Sequence, residues 1–471
     1  MNESTNVSSR REFIKTTGRV AAASALAGMA VPYVHAAGNE TLQVALIGCG
    51  GRGGGAAQNA LRVKDGHTKL VAMADVFTNR LEDCHNGLSG DAHSAAHMDV
   101  PPERRFIGFD AYQHAMDCLK RGDIAIFTTP LAFRWVHFTY AIQKGLNVFM
   151  EKPLTADGPS SRHMLKLAEE ASAKNLKVGV GLMCRHHRPL QELAQRAQDG
   201  QLGEIILMRG YRMAPGELAA CFSEKWPGNP TELLWQISRF HSFIWASGGL
   251  FSDFYIHHID HLCMIKNAWP VKAQAIGGRH YRTGRGGAPQ VDQNFDHYAV
   301  EYTFEDGTKM YIDGRNESRC EEIYSSYVHG SKGMAIAASS GDYSPPSSIF
   351  STQKPSRSHM LWTSKSIPGE DDPYDNEWND LVAAIREDRP YNEVPRGIQA
   401  SVTTSMGRMA AHSGLEITYE EMLNHEDTYA PGVENFTMDS PPPLRSGPEG
   451  KYPVPMPGLL GKHEFKIDKL G

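Results

Sequence analysis

The feature that most constrains this chain is a glycine turn set between a strand and a helix. Residues 42–47, Leu-Gln-Val-Ala-Leu-Ile, form a short apolar run suited to a buried strand. They lead into Gly48-Cys49-Gly50-Gly51-Arg52-Gly53, which supplies Gly48-x-Gly50-x-x-Gly53, and a helix begins by residues 56–61. Glycines let the backbone turn tightly and bring its N–H groups close to a pyrophosphate at the helix N-terminus. Such a glycine pattern is common alone; the strand before it and the helix after it give it meaning. A second strand, 69–74, ends at Asp75, 22 positions beyond Gly53. A carboxylate there binds ribose hydroxyls and repels a 2′-phosphate, which favours NAD over NADP. Arg80, close by, is the residue that would instead serve a phosphate and leave NADP open.

Further strand–helix units follow. Residues 123–127 read as a strand ending in Thr128-Thr129-Pro130, and 132–144 as a helix closed by Gly145. The next strand, 147–150, delivers Glu151-Lys152-Pro153, and a helix at 160–173 and a strand at 176–182 complete the series. Alternation of this kind predicts an α/β fold, a doubly wound parallel sheet of Rossmann type over residues 41–182. Ligands in such sheets sit beyond the carboxyl ends of the strands. Gly48, Gly50, Gly51, Arg52, Gly53, Asp75, Thr129, Pro130, Glu151 and Lys152 all fall there and are the expected cofactor-binding set.

Composition sets the outer limits. The chain has 471 residues and a formal charge of −6, from 48 Lys+Arg against 54 Asp+Glu. That length exceeds one ordinary domain, and the charge excludes a generally basic nucleic-acid binder. The 7 cysteines are scattered singly without a C-x-x-C pair, so neither a disulfide scaffold nor a zinc ribbon is expected. The amino terminus reads Ser9-Arg10-Arg11-Glu12-Phe13-Ile14-Lys15, then a mild Ala-rich stretch, then Val34-His35-Ala36. Basic, apolar and small-residue regions in that order predict a twin-arginine export signal over 1–36, with the translocase as partner and a periplasmic or otherwise exported product. Removing it takes away four basic and two acidic residues, so the mature charge becomes −8.

With Glu151-Lys152-Pro153 in place, the segment 123–154 resembles the Gfo/Idh/MocA family, the relatives of glucose-fructose oxidoreductase and inositol dehydrogenase. A second signature, Gly248-Gly249 followed by Asp253-x-x-x-His257-x-x-Asp260, resembles that family too, and the two stand in the right order. The resemblance covers roughly residues 41–425. It implies a nicotinamide dinucleotide in the first domain, and a second α/β domain over 183–425 whose open, mostly antiparallel sheet supports a sugar pocket and often an oligomer interface. A homo-oligomer is therefore expected. An amphipathic helix at 191–199 and strands at 203–209, 297–304 and 308–315 agree, the last two joined at Glu305-Asp306-Gly307. One departure stands out: the family often has His four residues after the TP proline, and here that position is Arg134. Residues 338–372, rich in Ser, Pro and Asp, read as a long loop outside the core. The Pro-rich end, 426–471, is either an extended arm across the fold or a disordered tail.

Oxidising a secondary alcohol needs a base for the hydroxyl proton, a hydride acceptor, and a group that stabilises charge on oxygen. Lys152, Asp253 and His257 supply suitable groups, and the resemblance gives these three positions the catalytic Lys, Asp and His. His257 is expected as general base, Lys152 as the group polarising the reacting oxygen, and Asp253 as the residue orienting substrate or Lys152. Arg185 and Tyr255 are candidate substrate contacts. His257, His258 and His261 invite a metal, but no H-E-x-x-H is present, and no metal site is assigned. The leading expectation is an exported oxidoreductase moving hydride between a tightly held nicotinamide dinucleotide and a sugar, glycoside or cyclic polyol. The alternatives are a redox-neutral glycosidase working by oxidation and elimination, and a non-catalytic dinucleotide or ligand sensor.

Overall fold

The computed structural model describes residues 40–64, 67–214, 222–280, 283, 287–317 and 319–465. The expected export signal, with Arg10, Arg11 and the Val34-His35-Ala36 site, lies outside the described residues. Among those described, no helix is long and apolar enough to cross a membrane.

The first sheet has six strands, β1 (Leu42–Ile47), β2 (Thr68–Asp75), β3 (Arg105–Ile107), β4 (Ile124–Phe127), β5 (Asn147–Met150) and β6 (Val178–Val180), in the order β3-β2-β1-β4-β5-β6. Every pairing is parallel. β1, β4 and β5 are apolar almost throughout because helices cover both faces, so no residue is spared for solvent. The Arg134–Lys144 helix stops at Gly145, whose φ of +71° is the left-handed closure that glycine adopts without strain. Strand order reverses between β1 and β4, so the crevice for a ligand opens there.

The second sheet has nine strands: β7 (Ile205–Ala214), β8 (Lys272–Gly278), β9 (His297–Thr303), β10 (Lys309–Asn316), β11 (Ile323–Gly330), β12 (Gly333–Ala338), β13 (Ser348–Phe350), β14 (Met360–Thr363) and β15 (Ile417–Thr418). Their order is β14-β13-β12-β11-β7-β10-β9-β8-β15, antiparallel everywhere except the β7–β10 pair. β9 and β10 alternate between buried and more accessible residues, as strands do when one face packs on a core and the other stays open. The Gly249–Lys266 helix lies against the closed face and is buried on nearly every side, its polar residues Asp253, His257, His258, Asp260 and His261 included.

Three expectations gain detail. The 338–372 segment is not merely a loop, because β13 and β14 extend the sheet edge by pairing with β12. The boundary at 182/183 does not separate two independent pieces: the Pro373–Arg386 helix returns to the first sheet, where Trp378 stacks on Phe149 at 4.5 Å between ring centroids. Asn392 then forms a parallel bridge with Val178 beside β6. The carboxy-terminal segment is an arm across the fold up to residue 465. Tyr452 packs edge-on to Phe243 at 5.0 Å, and Gln236 donates to the Leu444 carbonyl at 2.6 Å. Near the end of the arm, Glu464 is fully buried and accepts from Arg408 Nε at 2.8 Å, from His412 Nδ1 at 2.6 Å, and from Tyr429.

Candidate active site

A cavity of about 450 Å³ opens at the switch point, lined by the glycine turn, the carboxyl ends of β2 and β4, and side chains from the second domain. Gly48 has a φ of +97°, and a Cβ on Gly53 would fall 2.1 Å from the Gly48 carbonyl oxygen, so both glycines are required by the turn itself. Gly50 and Gly51 have open space where a Cβ would lie, which is what close approach by a phosphate requires. Asp75 accepts from the backbone N–H of Cys49 at 2.6 Å and of Phe77 at 2.9 Å. A carboxylate offers about four lone-pair sites, so this clamp fixes the group and leaves capacity for ribose hydroxyls. Burial pushes the Asp75 carboxyl up, and the two N–H donors act against it. Arg80 also lines the cavity, but its guanidinium donates to the Ser238 carbonyl at 3.0 Å and stacks over Phe77. The turn, its open side and the clamped carboxylate fit a dinucleotide.

The expected cofactor-side residues all line this cavity: Gly48, Gly50, Gly51, Arg52, Gly53, Asp75, Thr129, Pro130, Glu151 and Lys152. Arg52 does more than frame the turn. Its guanidinium donates to Glu151 at 2.5 Å and reaches Glu377 of the returning helix at 3.5 Å. The departure at Arg134 has a structural explanation. Its buried guanidinium donates to the carbonyls of Phe127 at 2.6 Å and Thr129 at 3.0 Å, so it fastens the end of β4 from behind. Burial lowers Arg134 to about 10, with Glu151 and Asp253 acting in the other direction.

Lys152, Asp253 and His257 meet at the far end of the same cavity. Asp253 and His257 share one face of the Gly249–Lys266 helix because they are four residues apart. Lys152 Nζ donates to the Asp253 carbonyl at 2.6 Å and to its carboxylate at 3.1 Å. Asp253 takes a second partner, His241 Nδ1, at 2.5 Å. Burial alone would raise the Asp253 carboxyl, but Lys152 and His241 outweigh it and hold it well below the usual carboxylate range. His257 moves the other way: burial, then the charges of Lys152 and Arg212, push its pKa well below the ordinary value and keep the ring neutral.

Several residues of this end were not singled out for the reaction by sequence. His241, in the turn at 240–242, carries no sequence signal for this role. Arg212 comes from β7 and Asp342 from the loop after β12; they lie 3.4 Å apart, and Arg212 also donates to Tyr324. Phe254 and Tyr374 complete the wall. Phe254 adjoins Asp253 within the motif itself, whereas His241, Arg212, Asp342 and Tyr374 are distant in sequence and reach the cavity through the turn at 240–242, the second sheet and the returning helix.

Two expected substrate contacts are corrected. Tyr255 is fully buried in the core, with Phe251 and Tyr298 around its ring, and it fills the space left by Gly314. It lies two residues from both Asp253 and His257, roughly 200° around the helix, and so points away from them. Arg185 does not line the cavity either; it pairs with Asp260, Nη2 to Oδ1 at 2.8 Å, and faces Trp269.

The buried neutral histidines give a pH signature. Burial lowers His137 to about 3, His187 to about 4 and His261 to about 3, against 6.5 when free. Below pH 6.5 the unfolded chain takes up protons that the native rings refuse, so stability falls until the native rings also titrate near 3–4. Denaturant titrations at pH 7.5, 6 and 5 are expected to show a progressive loss; a flat profile would count against these environments.

Comparison with known proteins agrees with this geometry. Residues 42–182 match the family model described as "Oxidoreductase family, NAD-binding Rossmann fold". An inositol 2-dehydrogenase of Saccharopolyspora erythraea is 30% identical over 170 residues, which is 36% of this chain and 45% of the relative. The chain spans about half the length of the curated relatives it matches. Among solved structures, scyllo-inositol dehydrogenase from Lactobacillus casei, with bound NAD(H) and scyllo-inositol, superposes with a TM-score of 0.56 at 20% identity, covering 81% of this chain and 100% of that one. Aldose-aldose oxidoreductase from Caulobacter crescentus gives a TM-score of 0.60 at 14% identity, over 80% and 100%. At these identities the superpositions speak for the fold. Family match, parallel sheet and glycine turn converge: residues 42–182 form a Rossmann domain that matches the NAD-binding model of the Gfo/Idh/MocA oxidoreductases.

Proposed function

We propose that this chain is an NAD-dependent dehydrogenase acting on a hydroxyl of an uncharged sugar or cyclic polyol. The carrying observation is that Lys152, Asp253 and a neutral His257 converge in the cavity that holds the glycine turn. Lys152 uses two of its three N–H groups on Asp253, and the third is available to polarise the reacting oxygen. His257, uncharged, has a lone pair to take the hydroxyl proton. Asp253, fixed between Lys152 and His241, keeps the ammonium in place. NAD, when bound, supplies the hydride acceptor.

The wall chemistry supports an uncharged substrate. At this end the cations Lys152 and Arg212 are each matched by a carboxylate, Asp253 and Asp342. No surplus charge is left among these four for a phosphate or uronate. The inositol dehydrogenase relatives point in the same direction. Export through the twin-arginine signal, tight retention of the cofactor and assembly of copies through the open sheet face belong to the same proposal. They are supported by Arg10–Arg11, by the need to keep a cofactor outside the cytoplasm, and by Ile276 at 76% exposure on that face.

The test is a panel of inositols, aldoses and aldonates incubated with protein and NAD while absorbance at the reduced-cofactor band is followed. Reduction with neutral polyols or sugars, and none with aldonates, is expected. Hydrolysis of a chromogenic glycoside without net reduction would favour the glycosidase instead, and silence across both panels would favour a sensor.

A further inference from the structure

The carboxy-terminal arm brings together three side chains that the reaction does not use. His425 and Asp427 stand where the second domain ends, and His463 stands near the end of the described arm. His463 Nδ1 lies 2.7 Å from Asp427 Oδ2, and His425 Nδ1 lies 3.8 Å from that same oxygen. All three potential ligand atoms fall within 4.8 Å of one another. Ligands around a tetrahedral ion at bond lengths of about 2.0–2.2 Å sit roughly 3.4 Å apart, so small shifts suffice.

The hydrogen bonding prepares His425 for ligation. Its Nε2 is 3.0 Å from the Lys462 carbonyl oxygen, which can only accept. The proton therefore sits on Nε2, and the lone pair of Nδ1 is directed toward Asp427. Metal-bound histidines have this arrangement, the second nitrogen donating to a carbonyl that fixes the ring. The Asp427 N–H reaches Nδ1 at 3.3 Å, a long contact that an ion would readily displace.

Both halves of the cluster are held by contacts of their own. Arg162 donates to the carbonyls of Leu423 at 2.7 Å and His425 at 3.1 Å, and a Cβ on Gly158 would fall 2.4 Å from the His425 oxygen. On the other side, His463 adjoins Glu464, which is anchored in the buried interior on Arg408. Geometry fixed in advance is what an ion-binding site needs. Among the described residues a second cluster, Asp296, His297 and Glu317, offers a single imidazole, already 2.8 Å from Asp296.

We propose that His425, Asp427 and His463 form a binding site for Zn²⁺ or a similar borderline divalent cation, which fastens the carboxy-terminal arm to the second domain. Two imidazoles and one carboxylate select such an ion over Ca²⁺ and Mg²⁺, which take sets of oxygen ligands. The His463 side chain is 58% exposed, so water completes the coordination and the ion enters from solvent. The bond would join positions 36 residues apart, closing the loop that lays Phe436 and Tyr452 over the aromatic wall behind the cavity.

The experiment uses untagged full-length protein, stripped with chelator and titrated with Zn²⁺ by calorimetry, with melting followed in parallel. One equivalent should bind, the melting temperature should rise with free Zn²⁺, and Co²⁺ should give visible bands of a low-coordinate nitrogen–oxygen site. His463→Gln and Asp427→Asn should each weaken affinity roughly tenfold or more, and His297→Gln should leave it unchanged. Absence of saturable one-equivalent binding, binding that survives His463→Gln, loss in His297→Gln, or equal affinity for Ca²⁺ would each overturn the proposal.

Discussion

Lys152→Met is expected to lower turnover by about 10²–10⁴-fold, the range for removing a group that acts on a proton or a developing charge. Dinucleotide affinity should stay within a few-fold of the parent. The two effects separate because the glycine turn and Asp75 hold one end of the cavity, and Lys152 works at the other. Methionine keeps the length and apolar stem of lysine but deletes every N–H. Asp253 would keep His241 as a partner, so the helix has no reason to unfold. Steady-state reduction of NAD with the substrate identified by the panel reads the first effect, and fluorescence titration of NAD reads the second. Full turnover in the variant would remove Lys152 from the reaction; lost NAD binding would recast it as structural.

Glu464→Ala should cost about 3–5 kcal/mol in stability, because it leaves the guanidinium of Arg408 buried without its counter-charge. Both side chains of this pair are fully buried. Arg408 also donates to the Gly248 carbonyl at 3.0 Å and to Ser252 at 2.7 Å, at the start of the helix that presents Asp253 and His257. Loss of the carboxylate should therefore loosen that helix end as well as the arm. Chemical denaturation of the full chain measures the cost, and Glu464→Gln, which keeps the shape and some hydrogen bonds, should recover part of it. A change below about 1 kcal/mol, the scale of an exposed ion pair, would mean that water reaches the network.

The parts of this molecule that are local in the chain were legible in its sequence. β1 and β5 fall where short apolar runs placed them, because a parallel strand covered on both faces admits few polar residues. Asp253 and His257 share a face because helical spacing alone decides it. The same geometry turns Tyr255, which stands halfway between them, toward the core. Arg212, Asp342 and His241 were beyond reach for a different reason. Each lies in an unremarkable local context, and it is the register of the nine-stranded sheet and the bend at residues 239–243 that deliver them to the cavity. Arg185 failed through competition: Asp260, one turn beyond His257, captures it first. Strands β13 and β14 were hidden by their brevity in a segment rich in turn-forming residues.

The returning Pro373–Arg386 helix has a mechanical consequence. The backbone passes between the two sheets near residue 183, again before 373, and a third time near 394. Two bodies joined by one linker can swing apart like a book, whereas bodies stitched by several strands of chain can only slide or breathe. Admission and escape of anything as large as a dinucleotide must then depend on small displacements of the walls around the crevice. Slow exchange would follow from topology, without requiring exceptional affinity.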